Sequence, residues 1–343
     1  MAKHILHIIT GLQRGGAETV LVTLVTELAQ AAYGYRQTVI YFNDGALRQQ
    51  LENLGVSCHR ATYWSTGSLI RTLKPDGIHS SLWSASIIAR VWGAWFAIPV
   101  YCALHTVAQH SGTVRNSIDR FFPFTATRYI AVSSLVKDSY TRFLPAKRIT
   151  VIENGVPPAR KRTHRPSGRY YTFGTVGRFV PVKNHHILLE AFARVHRDFN
   201  ETALILVGYG PLERELRDLA KRLAIEHAVT FVIGQPAHEY YHQLDCFVQP
   251  SEYEGLSVAL LEAMHASLPV IVTGHAQQHA VVHHHKTGIV INPGCADTLY
   301  QALVYVLLNK EVTLSYAYAG THHVHDHFSA HAMAKKYHQV FSA

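Results

Sequence analysis

The sequence predicts an α/β chain built as two Rossmann-like, doubly wound parallel-sheet domains that face each other across a cleft. Three observations carry this. Short, continuously apolar runs alternate with longer amphipathic stretches along the chain, the pattern of parallel strands covered by helices on both faces. The alternation stops at a polar, basic, turn-rich segment and then restarts. The chain has 343 residues, 48% apolar and 16% charged, which is long for one ordinary domain and enough for two cores.

In the first block the strand-like runs are His4–Thr10, Gln37–Phe42, Gly77–His79, Val100–Leu104, Tyr129–Val132 and Thr150–Ile152. In the second they are Thr172–Val176, Ala203–Val207, Val229–Val232, Cys246–Gln249 and Val270–Thr273. Amphipathic candidates include Ala17–Ala32, Asn184–His196 and Pro211–Ala224. The segment Asn154–Gly168 is rich in turn formers and reads as the linker. This gives a first domain over 1–153, a linker over 154–168, a second domain over 169–325 and a terminal helix over 326–343. Ligands of doubly wound sheets bind beyond the carboxyl ends of the strands, so a cleft between two such domains is the expected site.

Residues 1–152 carry 15 Lys and Arg against 7 Asp and Glu, a balance of +8, whereas residues 153–343 carry 17 against 16. The first domain therefore suits an anionic neighbour, either a lipid headgroup layer or a phosphorylated substrate. Nucleic acid is disfavoured, because no recognisable reading motif is present. The apolar stretch Ile87–Ala103 is interrupted by Arg90, Gly93 and Pro99, and it reads as a buried helix running into a strand, not as a membrane span. The N-terminus enters a strand directly, and the four cysteines form no CxxC pair. Both features predict a reduced, cytoplasmic protein, and the basic first domain adds peripheral contact at the cytoplasmic face of the cell membrane.

After the first strand come Gly15 and Gly16, where backbone amides and a helix start can approach an anion. The spacing is not that of a dinucleotide-binding fingerprint, and a plain strand-to-helix turn explains it equally well. After the first strand of the second block come Arg178 and Lys183, two cations that suit a diphosphate without a divalent ion, or a pair of solvated loop residues. Further on, Glu254-Gly255-Leu256-Ser257-Val258 leads into a helical stretch that carries Glu262. If that helix starts near Leu256, the two glutamates share a side and can accept hydrogen bonds from sugar hydroxyls. Ser257 and the free amides of the helix start can meet phosphate or sugar oxygens.

With these motifs in order, the chain resembles family four of the retaining glycosyltransferases, which have the GT-B fold. The motifs are Gly15-Gly16-Ala17-Glu18, Ile130–Ser133, Ile152–Pro157, Val176-Gly177-Arg178 with Lys183-Asn184, Val207–Pro211, Glu254 with Glu262, and the tail Phe328–Tyr337. The resemblance, closest to bacterial surface-polysaccharide enzymes, implies the following roles. Gly15 and Gly16 lie near the donor diphosphate, which Arg178 and Lys183 bind. Glu254 contacts the transferred sugar, Gly255–Val258 line the donor, and Glu262 holds the ribose hydroxyls. His105, after Ala103-Leu104, faces the reacting sugar. The donor would be a UDP-hexose or UDP-N-acetylhexosamine, the acceptor a glycan or a lipid-linked carrier, and no cofactor or metal is implied. In agreement, the chain contains no D-x-D triplet. The alternatives are a sugar-nucleotide epimerase of the same fold and a non-catalytic sugar-nucleotide-binding protein.

The sequence departs from the family pattern after Val270–Thr273. A glycine pair and an acid are usual there, and this chain has Ala276, Gln277 and Ala280. The 25 histidines include clusters at 283–285 and 322–327, which read as surface positions and not as a zinc site, because consecutive side chains diverge. Arg115–Phe124 mixes cations with phenylalanines and suits either a membrane interface or core packing.

Overall fold

The computed structural model describes residues 2–31, 33–110, 112–121, 125–158, 170–274 and 281–342. Most of the expected linker, Phe122 and Phe124, and the divergent stretch His275–Ala280 lie outside them. The chain forms two compact units, residues 1–157 with 329–343, and residues 158–328.

In the first unit the strands are β1 (His4–Gly11), β2 (Arg36–Asn43), β3 (Ser57–Arg60), β4 (Gly77–Ser81), β5 (Val100–Leu104), β6 (Arg128–Ala131) and β7 (Ile149–Val151). They form one sheet in the order β3-β2-β1-β4-β5-β6-β7, and every pair is parallel. In the second unit the strands are β8 (Tyr171–Val176), β9 (Thr202–Gly208), β10 (Val229–Ile233), β11 (Cys246–Gln249), β12 (Val270–Thr273) and β13 (Ile289–Ile291). They form a second all-parallel sheet, β10-β9-β8-β11-β12-β13. In both sheets the chain winds outward one way and then the other, so the order reverses between β1 and β4 and again between β8 and β11. Those two gaps are where a doubly wound sheet opens for a ligand.

Two strands were not legible in the sequence. β3 reads Ser-Cys-His-Arg and has no apolar run, because as an edge strand it is only half covered. β13 is three residues long and pairs with β12 alone. Both are short edges, which is how natural sheets limit unwanted pairing. The interior strands are continuously buried, as parallel packing demands: Ile5, Leu6, Ile8 and Ile9 in the first sheet, and Phe173, Leu204, Leu206 and Val248 in the second.

The helices follow the periodic segments with shifted ends, at Gly16–Gln30, His185–Asp198 and Glu213–Arg222. One expectation needs correcting. The apolar segment expected to be a buried helix forms Trp83–Phe96, whose Ala85, Ala89, Arg90 and Gly93 face inward. Its other face is open, with Val91 56% and Trp95 78% exposed.

The last helix, Ala330–Ser342, belongs to the first unit. Its docking explains the Glu153–Pro157 motif. A Cβ on Gly155 would lie 2.5 Å from the Ser329 carbonyl oxygen and 2.7 Å from Ala330 Cα, so only glycine admits the crossing chain. Val156 forms a parallel bridge with Ser329, and its carbonyl accepts from the Ala330 N–H at 2.9 Å. Lys336 reaches Glu153 at 2.6 Å, and Phe341 is buried against Tyr101 and Tyr337. No helix among the described residues is long and apolar enough to cross a membrane.

Candidate functional site

The gap between β8 and β11 gathers the charged residues singled out in the second unit. Gly177-Arg178 leaves β8, passes a single helical turn, Pro181–Lys183, and reaches Asn184, whose φ of 50° closes the turn before helix His185–Asp198. Asparagine tolerates this left-handed conformation better than most residues. The loop is held from both sides. The Phe179 N–H donates to the Tyr209 carbonyl at 2.8 Å, and the Phe179 carbonyl accepts from Leu212 N–H at 3.1 Å. A Cβ on Gly208 would sit 1.9 Å from the Gly177 carbonyl oxygen, so the glycine that ends β9 is what lets the two segments touch. On the other side the Glu252 N–H donates to the Val182 carbonyl at 2.8 Å, fastening the loop after β11.

Within this frame Lys183 forms an ion pair with Glu254, and both side chains are mostly buried. The same carboxylate oxygen accepts from Ser251 Oγ at 2.9 Å, and the Ser251 carbonyl accepts from Thr273 Oγ1 at 2.5 Å. The lysine stem lies over Gly177, its Cε 3.5 Å from where a Cβ would be. Arg178 is exposed and makes no ion pair with any described residue. The arrangement is therefore one neutralised cation and one available cation at the rim of a strand, beside a carboxylate whose orientation is fixed. Such a pair can exchange its internal partner for a phosphate and a hydroxyl as a ligand enters.

The helix after Glu254 begins at Val258 and runs to His265, two residues later than expected. Ser257 is its cap: Oγ accepts from Leu260 N–H at 3.3 Å and donates to Gln249 Oε1 at 2.7 Å. Gly255, Leu256, Ser257 and Val258 are all buried. The serine hydroxyl is thus committed to the fold, and the helix amides remain the groups that can meet an anion. Glu262 lies on this helix and accepts from the Tyr241 hydroxyl at 2.8 Å. Burial pushes its carboxyl up to about 7, against the lowering effect of that hydrogen bond. Among the described residues no bond joins Glu254 to Glu262; each carboxylate has its own partners. Sequence spacing did not reveal Tyr241, which lies 21 residues from Glu262, and gave no reason to single out Ser251, which reaches Glu254 three residues on through a loop and not along a helix.

The remaining candidates belong to the first unit. Gly15 caps helix Gly16–Gln30 in an extended conformation, and Glu18 folds back so that a Cβ on Gly15 would lie 2.3 Å from its Oε2. Nothing stands within 4 Å of a Cβ on Gly16, so the space above it is open. Across the β1/β4 gap of this unit, Leu82 after β4 has φ 72° and ψ 147°, a conformation a leucine holds only under constraint. No sequence signal marks it.

His105 follows β5 directly. Burial lowers its pKa to about 4, and its buried Nε2 meets no hydrogen-bonding group. It is a neutral imidazole with one unused nitrogen, able to bond a hydroxyl. Inward of it stand two more buried histidines, on β4 and β1. Gln37 Nε2 donates to the Val25 carbonyl, so its Oε1 must accept from His7 Nε2 at 3.2 Å. His7 Nδ1 then accepts from His79 Nδ1–H at 3.1 Å, and His79 Nε2 is left as a buried acceptor. No group of three or more potential metal ligands occurs among the described residues, including the described parts of the histidine clusters.

Comparison with known proteins gives the chain relatives over most of its length. Residues 158–323 match the family described as Glycosyl transferases group 1, and residues 14–160 match Glycosyltransferase Family 4. A GDP-mannose-dependent α-(1-6)-phosphatidylinositol monomannoside mannosyltransferase of Mycobacterium tuberculosis is 30% identical over 208 residues. That stretch is 53% of this chain, and the chain spans about half (54%) of that relative's length. EpsF of Bacillus subtilis, assigned as a glycosyltransferase, is 26% identical over 79% of each chain. The crystal structure of Anabaena HepE in complex with UDP-glucose superposes with a TM-score of 0.89 at 20% identity, covering 99% of both chains.

Proposed function

Since the chain belongs to the group 1, family four glycosyltransferases, with two GT-B-type parallel-sheet units, we propose that it is a retaining, metal-independent glycosyltransferase. It moves a hexose or N-acetylhexosamine from a UDP-sugar to a glycan or lipid-linked acceptor in surface-polysaccharide synthesis. The observation that carries this reading is the Lys183–Glu254 pair, backed by Ser251 and flanked by the free Arg178, at the β8/β11 gap.

In the proposed reaction the donor diphosphate engages Arg178 and draws Lys183 from Glu254. The two fixed cations offset the charge that develops on the leaving phosphate as the bond to the sugar breaks. Fixed cations suffice for this in a chain that has no D-x-D triplet. Glu254, released from the lysine but still bonded to Ser251, accepts from a sugar hydroxyl, and Glu262 accepts from the ribose. Gly16 leaves room for the diphosphate, Gly15 starts the helix behind it, and the amides at Gly255–Val258 face the donor. No residue is assigned as base: the departing phosphate oxygen takes the acceptor proton on the same face of the sugar, which gives retention. His105, neutral at pH 7, bonds the reacting sugar. The UDP choice rests on HepE, which binds UDP-glucose. The mycobacterial relative uses GDP-mannose and favours the second reading, a GDP donor.

The acceptor proposal rests on the charge of residues 1–152, and it implies peripheral contact of this unit with an anionic membrane. The deciding experiment measures release of nucleoside diphosphate from UDP-, GDP- and ADP-sugars in EDTA, for the wild type and Glu254→Ala. One donor should be turned over in EDTA, with the variant at least about a hundredfold slower. Hydrolysis that requires a divalent ion would remove metal independence. Turnover of a donor to its epimer without diphosphate release would remove the transferase reading. A chain that no nucleotide stabilises against heat has no donor site.

A further inference from the structure

The face of the first unit formed by helix Trp83–Phe96 and the preceding helix, Ser65–Leu73, is built unlike an ordinary protein surface. Trp83–Phe96 contains one charged residue, Arg90, and that residue points inward, to Asp119 at 2.5 Å and Thr125 at 2.7 Å. Its outward stripe is Ile88, Val91 and Trp95, spaced three and four residues apart, with no polar group to hydrate. Beside it stands Trp64, 87% exposed, at the start of helix Ser65–Leu73. An aromatic ridge formed by their sequence neighbours Tyr63, Trp92 and Phe96 runs between the two helices. Trp92 stacks on Phe96 with ring centroids 5.9 Å apart, its indole N–H points at the Tyr63 carbonyl at 3.4 Å, and Tyr63 meets Phe42 edge-on. The helices approach closely here because residue 67 is glycine; a Cβ there would lie 2.5 Å from the Trp92 ring. A ridge held this firmly, with two of its three indoles turned outward, is a prepared surface.

The charges around it point to the occupant. Between Leu54 and Ile118 the chain carries a single carboxylate, Asp76, which accepts from the His4 N–H at 2.7 Å at the amino end of the sheet. The same span exposes Arg60, Arg71, Lys74 and Arg115. Arg71 shares a helical face with Trp64, seven residues on, so cation and indole project together. A second copy of this chain would bring the same positive charge against itself, which disfavours pairing through this face. Tryptophan beside arginine and lysine, with Asp76 as the one acid against four exposed cations, is the composition that settles at the headgroup boundary of an anionic bilayer.

We infer that the Trp64–Trp92–Trp95 ridge is the surface by which this unit docks on an anionic phospholipid bilayer, the two exposed indoles entering the headgroup region and Arg71 and Lys74 meeting phosphates. This rests on the membrane contact proposed above and gives it a location: it lies on the helices after β3 and β4, whereas the sequence left Arg115–Phe124 open between a membrane interface and core packing. Of that segment, Asp119 is buried against Arg90 and Phe121 is 76% exposed.

The test is flotation with phosphatidylcholine vesicles, with and without phosphatidylglycerol, for the wild type and for Trp64→Ser with Trp95→Ser. The wild type should float with the anionic vesicles only, release as salt is raised, and shift its tryptophan emission to the blue on binding. The double variant should lose about tenfold or more of the bound fraction, as expected for two indoles that no longer leave water. It should keep its melting temperature and its donor hydrolysis, since neither residue belongs to the donor site. Equal flotation of variant and wild type, or flotation with neutral vesicles alone, overturns the inference. So does a concentration-dependent dimer that the double variant abolishes, because a second copy then covers the ridge. Donor hydrolysis uses no vesicles, so its failure would undo the transferase reading and leave the docking result standing.

Discussion

The two units share a strand order about their switch points but differ in what they place there. In the second unit the β8/β11 gap holds opposite charges brought together from distant loops, Lys183 with Glu254, and it is zipped by backbone bonds through Phe179, Tyr209 and Val182. In the first unit His7 on β1, His79 on β4 and His105 after β5 are neutral imidazoles; the buried ion pair of this unit joins Arg90 of helix Trp83–Phe96 to Asp119, and Arg60, Arg71, Lys74 and Arg115 are exposed. One scaffold thus supports a site that handles charge inside and a body that presents charge outside. The difference lies in the loops and the outward faces, which a parallel sheet leaves free to vary.

The largest expected effect tests the charged gap itself. Lys183→Ala removes a cation from the leaving phosphate and leaves Glu254 without its ion partner, so kcat/KM for the donor should fall about a hundred- to a thousandfold, roughly 3–4 kcal/mol. Steady-state kinetics checks this, and a fall below about tenfold would move the diphosphate away from this lysine.

Next come the glycines that let chain segments touch. Gly208→Ala drives a methyl into the Gly177 carbonyl at 1.9 Å, and Gly155→Ala drives one into Ser329 at 2.5 Å. Each should cost about 3 kcal/mol. The first should abolish stabilisation by nucleotide, whereas the second should expose the C-terminal helix to protease with the donor site intact. If both variants lost nucleotide stabilisation alike, the two units would not be separable in this way.

A smaller effect comes from pH. The folded pKa of His7 is lowered to about 4 and that of His185 to about 3, both by burial. The unfolded chain therefore binds protons first as pH falls below about 6.5, and stability present above that pH is lost progressively toward 4. Each residue accounts for about 3–5 kcal/mol. Glu262 acts in the opposite sense, since its raised carboxyl adds stability at low pH that is lost as pH rises from its unfolded value through about 7. Melting temperatures across pH 4–8 should fall on the acid side, and His7→Gln should flatten that fall. An acid limb unchanged in the variant would mean that His7 is charged in the folded protein.

The smallest effect is expected at the surface. Lys336→Ala removes the ion pair to Glu153, whose side chains are 46% and 32% exposed, and thermal unfolding should register only about 0.5 kcal/mol. A larger loss would show that the helix is held by charge and not by Phe341 and Gly155.

By itself the sequence determined the two alternating blocks, the buried strands and the loops that carry Arg178, Lys183 and Glu254. Apolar periodicity and turn residues act over a few positions and are written locally. The edge strand β3 escaped because a half-covered strand needs no apolar run, and β13 because its apolar run is only three residues long. Only the tertiary structure decided that Lys183 meets Glu254, 71 residues away, that Tyr241 holds Glu262, and that Gly155 and Gly208 are contact points between chain segments. It also decided which face of Trp83–Phe96 looks outward. An apolar helix carries no internal mark of its orientation; that is set by where Arg90 finds Asp119 and where glycine lets a neighbouring helix approach.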